Sequence, residues 1–392
     1  MSVEGRVLID VTLGAAPVVR ISFTQAGDVA RVLAGKTPGE VRAIVPALFS
    51  LCGKAQSHAA HLALDAAQGR KCASEIRAAM QCLTEMESLR ENTLRIALDW
   101  PRLLGERADR GRLPPLMRLV PELESALQSR GGPLDAGLAR SLAGDRALRV
   151  VDAAETLVAD LVFGEPIERW QEREDANDVR NWAAAGRTPA ARLLHRIYSQ
   201  GMAEAGSVQL HRLAPLDGHS VLNWFEAGGM HALPLDRGSM APETTMLARH
   251  ATDRRLAGAT NANGCNANDK AVHGLMDRLT ARLIELAGLP SRMRELIRGR
   301  VAPYAGRRLA EAVGMGEVAA ARGTLMHVAS MEDGRISRYR VLAPTRWNFD
   351  VDGVAGRAVE RIASEYGEDA QILAELMVDA IDPCVAYSVR IH

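Results

Sequence analysis

The chain has 392 residues, of which 47% are hydrophobic and 24% charged, as in ordinary globular proteins. A chain of this length can bury a sizeable hydrophobic core. Its 48 basic and 48 acidic residues cancel, so no net field attracts nucleic acid or an anionic membrane surface. We therefore expect no nucleic-acid partner, and partners that are recognised by shape and local chemistry.

The N-terminal sequence MSVEGRVLID has no basic stretch followed by an apolar run, so no signal peptide is predicted. No segment approaches the roughly 20 uninterrupted apolar residues of a membrane helix, so we expect no membrane insertion. The five cysteines are an odd and scattered set, which argues against a disulfide framework. Together these features predict a cytoplasmic protein.

Two antiparallel hairpins are predicted in an otherwise helical chain. Alternating apolar residues predict the first hairpin over residues 7–23. The dipeptide Asp333–Gly334 between two apolar runs predicts the second over residues 324–342. We therefore expect a mainly α fold with small antiparallel β hairpins, an α+β arrangement.

Apolar residues at helical spacing predict a long helix over residues 71–99 that Pro101 ends. At about 1.5 Å per residue it would span roughly 40 Å, the width of a domain, so we expect it in the centre of a bundle. A last helix is predicted over residues 369–381, where Asp382 and Pro383 stop it.

The sequence contains no HExxH, nucleophile elbow, phosphate loop or CxxC motif. Gly314-Met315-Gly316 weakly resembles a dinucleotide-binding motif, but we expect it to follow a helix rather than a strand, which argues against that function. Cys52, His58 and His61 fit either a set of metal ligands or a buried thiol beside two helical histidines. The buried-thiol interpretation is favoured on these residues alone.

The remaining cysteines lie in different sequence surroundings. Cys72 and Cys82 lie ten residues apart on the predicted long helix and would face different sides, which is typical of core thiols. Cys265, in an Asn-rich segment, is predicted to be an exposed loop thiol. Cys384 follows Asp-Pro directly after a helix, and such a stop can present the next side chain at a defined place. A functional thiol and a buried structural cysteine both remain open for Cys384.

Several segments resemble, in the same order, the large subunit of nickel–iron hydrogenases. VEGRVLIDV resembles the family's first strand, VPALFSLCG its first metal-binding CxxC, and ENTLRIALDWPRLLG its long central helix. ARGTLMHVASMEDGRISRYRVLAPTRWNF resembles the family's hairpin and P-[ST]-x-W-N segment, and IDPCVAYSVRIH the terminal D-P-C-x-x-C-x-x-H.

The resemblance covers residues 2–101 and 270–392, with a shortened middle over 105–270. It implies one hydrogenase-large-subunit-like helical bundle over residues 1–392, in which the two ends of the chain form a metal pocket.

In that family four cysteines bind the metals, and here two of them are replaced. The resemblance puts Cys52 at a bridging position and Cys384 at a terminal position, with Phe49 and Tyr387 where the other two thiolates belong. A phenyl ring cannot ligate a metal, and a phenol suits a soft site poorly. We also expect Cys52 at the N-terminal end of a helix, where the helix dipole favours a thiolate.

At other positions, too, the family's residue is either kept or replaced. By resemblance Glu4 lies near the nickel, Arg322 over the diatomic ligands of the iron, and Pro344 and Thr345 around a cyanide. The resemblance therefore implies a pocket that keeps a cyanide-bearing iron and has lost its nickel and magnesium sites. The family's characteristic polar or charged groups are replaced at Gly27, Ala30, Gln56, Ala319 and Arg390.

This pattern resembles the hydrogenase expression/formation proteins of the HupK/HoxV type. It implies a cytoplasmic, non-enzymatic scaffold that assembles an Fe(CN)2CO fragment, or relays it, for the hydrogenase large subunit. The implied partners are a HypC-type maturation chaperone and the large-subunit precursor, and no proteolytic C-terminal processing is expected. A metal-free structural subunit and a divergent catalytic hydrogenase large subunit remain as alternatives.

Overall fold

A computed structural model describes residues 5–14, 16–24, 29–49, 51–127, 145–228, 241–260, 271–299, 306–350 and 352–392. Predictions that fall on Glu4, Gly27 and Cys265 lie outside the described residues.

This part of the chain is mainly helical, as predicted. None of its helices combines the length and apolarity needed to cross a bilayer. The helices are α1 (Val29–Leu33), α2 (Pro38–Leu48), α3 (Gly53–Ala67), α4 (Ser74–Leu103), α5 (Pro114–Leu127), α6 (Asp145–Val158), α7 (Ile167–Gln171), α8 (Ala176–Ala184), α9 (Pro189–Ser199), α10 (Gly218–Glu226), α11 (Met246–His250), α12 (Ala257–Thr260), α13 (Leu275–Ile297), α14 (Pro344–Asn348), α15 (Val354–Glu365) and α16 (Ala370–Ile381). The strands are β1 (Arg6–Thr12), β2 (Val18–Phe23), β3 (Val208–Gln209), β4 (Val272–His273), β5 (Arg307–Ala310), β6 (Val313–Ala320), β7 (Gly323–Glu332), β8 (Arg335–Leu342) and β9 (Ala386–Ile391).

The predicted long helix is α4, which packs against α3, α5, α9 and α13. It continues two residues beyond Pro101, because a proline in the last turn removes only one hydrogen bond from a helix that is held by tertiary packing. Cys82 on this helix is buried, as predicted. The placement of Cys72 on it is wrong, since α4 begins at Ser74 and Cys72 lies in the preceding connection.

The first hairpin is present, but it belongs to a mixed three-stranded sheet in the order β2-β1-β9. β1 pairs antiparallel with β2 and parallel with β9, so that Val7 lies opposite Tyr387. Val7 and Val389 also share one hydrophobic cluster with residues of α4 and α13. The two ends of the chain are therefore joined in one sheet over one core.

The second hairpin is also present, as β7 and β8, with Asp333 and Gly334 at positive φ (49° and 73°) as a tight hairpin turn requires. It extends to a four-stranded antiparallel sheet through β5 and β6, which were not predicted. The expectation that Gly314-Met315-Gly316 follows a helix is wrong, because all three residues lie in β6.

Two glycines of β6 allow the backbone of α3 to rest on the sheet. A Cβ at Gly314 would lie 2.2 Å from the carbonyl oxygen of Ala63, and a Cβ at Gly316 2.1 Å from that of Ala59. Only glycine permits such an approach. This contact fixes α3, which Cys52 precedes, against the strand that leads to Arg322.

Gly316→Ala should lower the free energy of unfolding by about 3 kcal/mol, because its methyl group must push α3 from the sheet. Urea unfolding followed by circular dichroism measures the change. Gly39→Ala is the control, since a Cβ there meets nothing within 4 Å and the residue is exposed in α2. It should be neutral or stabilising by up to about 1 kcal/mol. Equal losses in both variants would contradict the packing argument.

Candidate metal centre

Cys52 lies at the N-cap of α3, as predicted, but its side chain makes no capping bond. The carboxylate of Glu87 on α4 instead accepts the backbone N–H groups of Lys54 (2.8 Å) and Ala55 (3.0 Å). Burial, together with the nearby Cys384 and Glu87, raises the pKa of Cys52. The expected thiolate is therefore not favoured without a metal, since desolvation outweighs the helix dipole.

A chain of hydrogen bonds reaches the sulfur of Cys52 from the sheet. The amide Nε2 of Gln56 donates to Cys52 Sγ (3.5 Å), which leaves its Oε1 to accept from His327 Nε2 (2.7 Å). His327 Nδ1 must then accept from the hydroxyl of Tyr339 (2.7 Å). Burial lowers the pKa of His327 to about 3, so the ring is neutral and the direction of the chain is set.

Cys384 is presented by the end of α16. Asp382 takes a left-handed conformation (φ 64°), and Pro383 prevents the helix from continuing. The backbone N–H of Cys384 donates to Thr345 Oγ1 (3.0 Å), and the Thr345 hydroxyl lies 2.8 Å from Cys384 Sγ. Burial raises the pKa of Cys384, opposed by Thr345 and Arg322.

The structure brings these predicted site residues together from distant parts of the sequence. The pKa of Cys52 is sensitive to charge on Cys384, and the pKa of both thiols to the guanidinium of Arg322. Arg322 lies in the turn between β6 and β7, and Thr345 follows Pro344 at the start of α14. One common site is therefore lined by Cys52, Cys384, Arg322 and Thr345, although more than three hundred positions separate the cysteines.

The histidines near Cys52 belong to other surroundings. His58 is fully buried, and its Nδ1 lies 3.2 Å from Thr84 Oγ1. Burial lowers its pKa to about 3, so His58 is neutral. His61 pairs with Asp65 (3.3 Å) one turn further along α3. The set Cys52, His58 and His61 is thus not one ligand cluster, and the interpretation of helical histidines holds.

Sequence reasoning missed a buried ionic network centred on Asp382. Its carboxylate lies 2.6 Å from Arg95 Nη2, 3.2 Å from Arg322 Nε and 3.6 Å from Arg282 Nη2. Burial alone would raise the pKa of Asp382, but the three guanidinium groups outweigh it and hold the pKa well below its usual range. The available signal was Arg95 on a helix predicted to be central, where a charge needs a partner.

The same network leaves several guanidinium nitrogens of Arg282 and Arg322 without a hydrogen-bond partner among the described residues. Arg322 Nη1 is buried without a hydrogen-bond partner in the described part of the chain. A cavity of about 10 Å³ lies beside it, lined by Arg282 and Asp382 but by neither cysteine. That volume holds about one water molecule, not an iron fragment. Arg322 can therefore donate to a small anionic ligand, but such a ligand must open its own space near the thiols.

The family model of nickel-dependent hydrogenases matches residues 207–390, which include Arg322, Thr345 and Cys384. The hydrogenase expression/formation protein HupK of Azotobacter vinelandii is 28% identical, covering 93% of this chain and 91% of its own. HoxV of Cupriavidus necator is also 28% identical, covering 92% of this chain and 89% of its own. The chain is therefore similar to nickel-dependent hydrogenases over residues 207–390. Its similarity to expression/formation proteins covers nearly the whole chain, which supports a role in hydrogenase formation.

Solved structures show the same fold. The NAD+-reducing [NiFe]-hydrogenase in its H2-reduced state superimposes with a TM-score of 0.53 at 18% identity, over 94% of this chain and 93% of that one. The reduced Ni-Fe-Se hydrogenase of D. vulgaris Hildenborough superimposes with a TM-score of 0.52 at 15% identity, over 95% of this chain and 94% of that one. The fold is that of the hydrogenase large subunit, as predicted.

Asp382→Asn should lower the free energy of unfolding by about 3–5 kcal/mol, because the buried Arg282 and Arg322 and the partly buried Arg95 lose their common counter-charge. Asp99→Asn is the matched control: Asp99 also binds Arg95 (2.7 Å) but is partly exposed, so its loss should cost less than about 1 kcal/mol. Urea unfolding at neutral pH compares the two. Similar losses would contradict a central place for Asp382.

The buried His327 should make stability dependent on pH. Its folded-state pKa of about 3 lies below the ordinary 6.5, so between these values only the unfolded chain takes up the proton. Stability is therefore lost as the pH falls, by about 1.4 kcal/mol per pH unit. His327→Gln should make the plot of unfolding free energy between pH 6 and 4 shallower by about this slope. An unchanged slope in His327→Gln would contradict the assignment.

Proposed function

We propose that this protein is a non-catalytic scaffold of hydrogenase formation, which holds an Fe(CN)2CO fragment transiently and passes it to the large-subunit precursor. The observation that carries the proposal is the meeting of Cys52 and Cys384 beside the unpaired Nη1 of Arg322. Two soft thiolate ligands and one anion-directed donor suit an iron that carries cyanide. The name given to the relatives, hydrogenase expression/formation protein, supports the same role.

The state of the thiols suits reversible binding. Burial raises the pKa of Cys52 and Cys384, so both are protonated without cargo. Binding of iron must displace these protons, and its positive charge repays the desolvation of the thiolates. Reprotonation of the same sulfurs then favours release. A site with two such thiols can therefore hold the fragment without retaining it permanently.

The residues at the other two family positions argue against catalysis. Phe49 offers no ligand atom, and burial raises the pKa of the Tyr387 phenol, so it remains protonated. Nickel would thus lack half of the thiolate set that the family provides. We propose accordingly that the protein is not an enzyme, and that it acts in the cytoplasm with a HypC-type chaperone and the precursor of the large subunit.

Co-expression with the maturation machinery, followed by anaerobic purification, tests the proposal by infrared spectroscopy. The wild type should show the stretching bands of CO and cyanide. Cys52→Ser and Cys384→Ser should each lose them and reduce the activity of the partner hydrogenase at least tenfold, because a serine hydroxyl stays protonated and binds soft metal poorly. Serine is nearly isosteric, so the fold should persist.

Cys265→Ser and Cys82→Ser are the controls, since each removes one thiol elsewhere in the sequence. Both should keep the bands and the partner's activity. Normal maturation by both pocket variants, with unchanged bands, would leave a metal-free structural role. Hydrogen uptake by nickel-supplied protein alone would instead favour a divergent hydrogenase.

A further inference from the structure

A second group of potential metal ligands lies at the other end of α3, away from Cys52 and Cys384. One ligand atom each from His61, Asp65 and Cys72 lies within 4.8 Å of the other two. In the described part of the chain this is the only group of three histidine, cysteine or acidic residues placed in this way. His61 and Asp65 are buried and Cys72 is partly exposed, so the group is largely enclosed but an ion can reach it from solvent.

The local fold explains why these three side chains meet. His61 and Asp65 are four residues apart on α3, so they lie one above the other on the same face. After α3, Gly69 takes a left-handed conformation (φ 68°) and turns the chain back. Cys72 then lies beside the last turns of α3 before α4 begins at Ser74. Two ligands on a helix and one on a returning loop form a compact site.

We propose that His61, Asp65 and Cys72 bind a divalent transition-metal ion of the zinc type. Imidazole nitrogen, carboxylate oxygen and thiolate together suit a borderline-soft ion, whereas Mg2+ and Ca2+ prefer oxygen ligands alone. Three protein ligands leave a fourth position for water or another ligand.

The distances need little adjustment for such an ion. Metal bonds of about 2.0–2.3 Å in a tetrahedron place ligand atoms roughly 3.3–3.8 Å apart. His61 Nε2 and Asp65 Oδ2 are already 3.3 Å apart. Since all three atoms lie within 4.8 Å of one another, the widest pair must close by at most about 1.5 Å, which a side-chain rotation of the partly exposed Cys72 can supply.

The carboxylate of Asp65 is held in the way that metal-binding carboxylates are held. Its Oδ1 accepts from Arg42 (2.6 Å) and Arg70 (3.1 Å), while Oδ2 faces His61. Outer hydrogen bonds of this kind orient a ligand and leave one oxygen for the metal. The charges also balance, because an aspartate and a thiolate together neutralise a divalent ion. The two arginines remain bound to the other carboxylate oxygen, Oδ1.

Metal titration of the Cys52→Ser/Cys384→Ser double variant tests the proposal, because this background removes the other candidate site. With Co2+ as the probe, the background should bind one equivalent and show a cobalt–thiolate charge-transfer band in the near ultraviolet. After loading with Zn2+ and dialysis, it should retain one zinc per chain. Adding Cys72→Ser should abolish the band, and Cys72→Ser or His61→Ala should weaken binding at least tenfold.

His195→Ala is the matched control: it removes an exposed histidine, and should change neither the band nor the stoichiometry. Circular dichroism establishes that each variant is folded. If the background does not fold, Cys72→Ser in the wild-type chain should lower the zinc content by one equivalent. A folded background that binds no metal, or a Cys72→Ser variant with unchanged affinity and band, would overturn the proposal.

Discussion

The buried ion pair of Arg322 with Asp382 is the constraint on which the candidate site depends. It joins the turn between β6 and β7 to the end of α16, while Arg95 ties the same carboxylate to the long helix α4. Each of these elements carries or supports one side of the site. Because a buried charge without a partner is costly, none of the three elements can move away alone. The ionic network thus sets the geometry around the two thiols.

The proposed iron site would suit ligand exchange more than permanent binding. Gln56 donates to Cys52, and Thr345 lies against Cys384, so each sulfur already has a polar neighbour. Those contacts orient the sulfur atoms in the absence of a metal, which reduces the entropy lost on binding. A cargo that replaced these contacts would gain only the difference in free energy, and its release would be correspondingly easier.

The proposed zinc-type site uses the same helix in a different way. Cys52 precedes α3, and His61 and Asp65 lie in its later turns, so at about 1.5 Å per residue the two sites are separated by roughly 15–20 Å. The helix is fixed on β6 by backbone contact at Gly314 and Gly316. A metal bound at one end of α3 would therefore stiffen the connection to α4 without entering the cysteine pocket.

The sequence by itself predicted the main local elements and proposed the site residues. Periodicity predicted the long helix and both hairpins, because burial of one face sets a spacing that can be read directly. The resemblance of short motifs to the hydrogenase large subunit singled out Cys52, Arg322, Thr345 and Cys384, since these residues occupy matching motif positions. From the residues alone, a functional thiol and a buried structural cysteine both stayed open for Cys384.

Only the tertiary structure decided what depends on contacts between distant residues. The parallel pairing of β9 with β1, the backbone contact of β6 with α3, and the partners of Asp382 each join segments far apart in the chain. In the tertiary structure Cys72 lies in a loop beside His61 and Asp65, and not on the long helix where it was predicted. Such placements follow from how whole elements pack, and no local pattern of residue types encodes that packing.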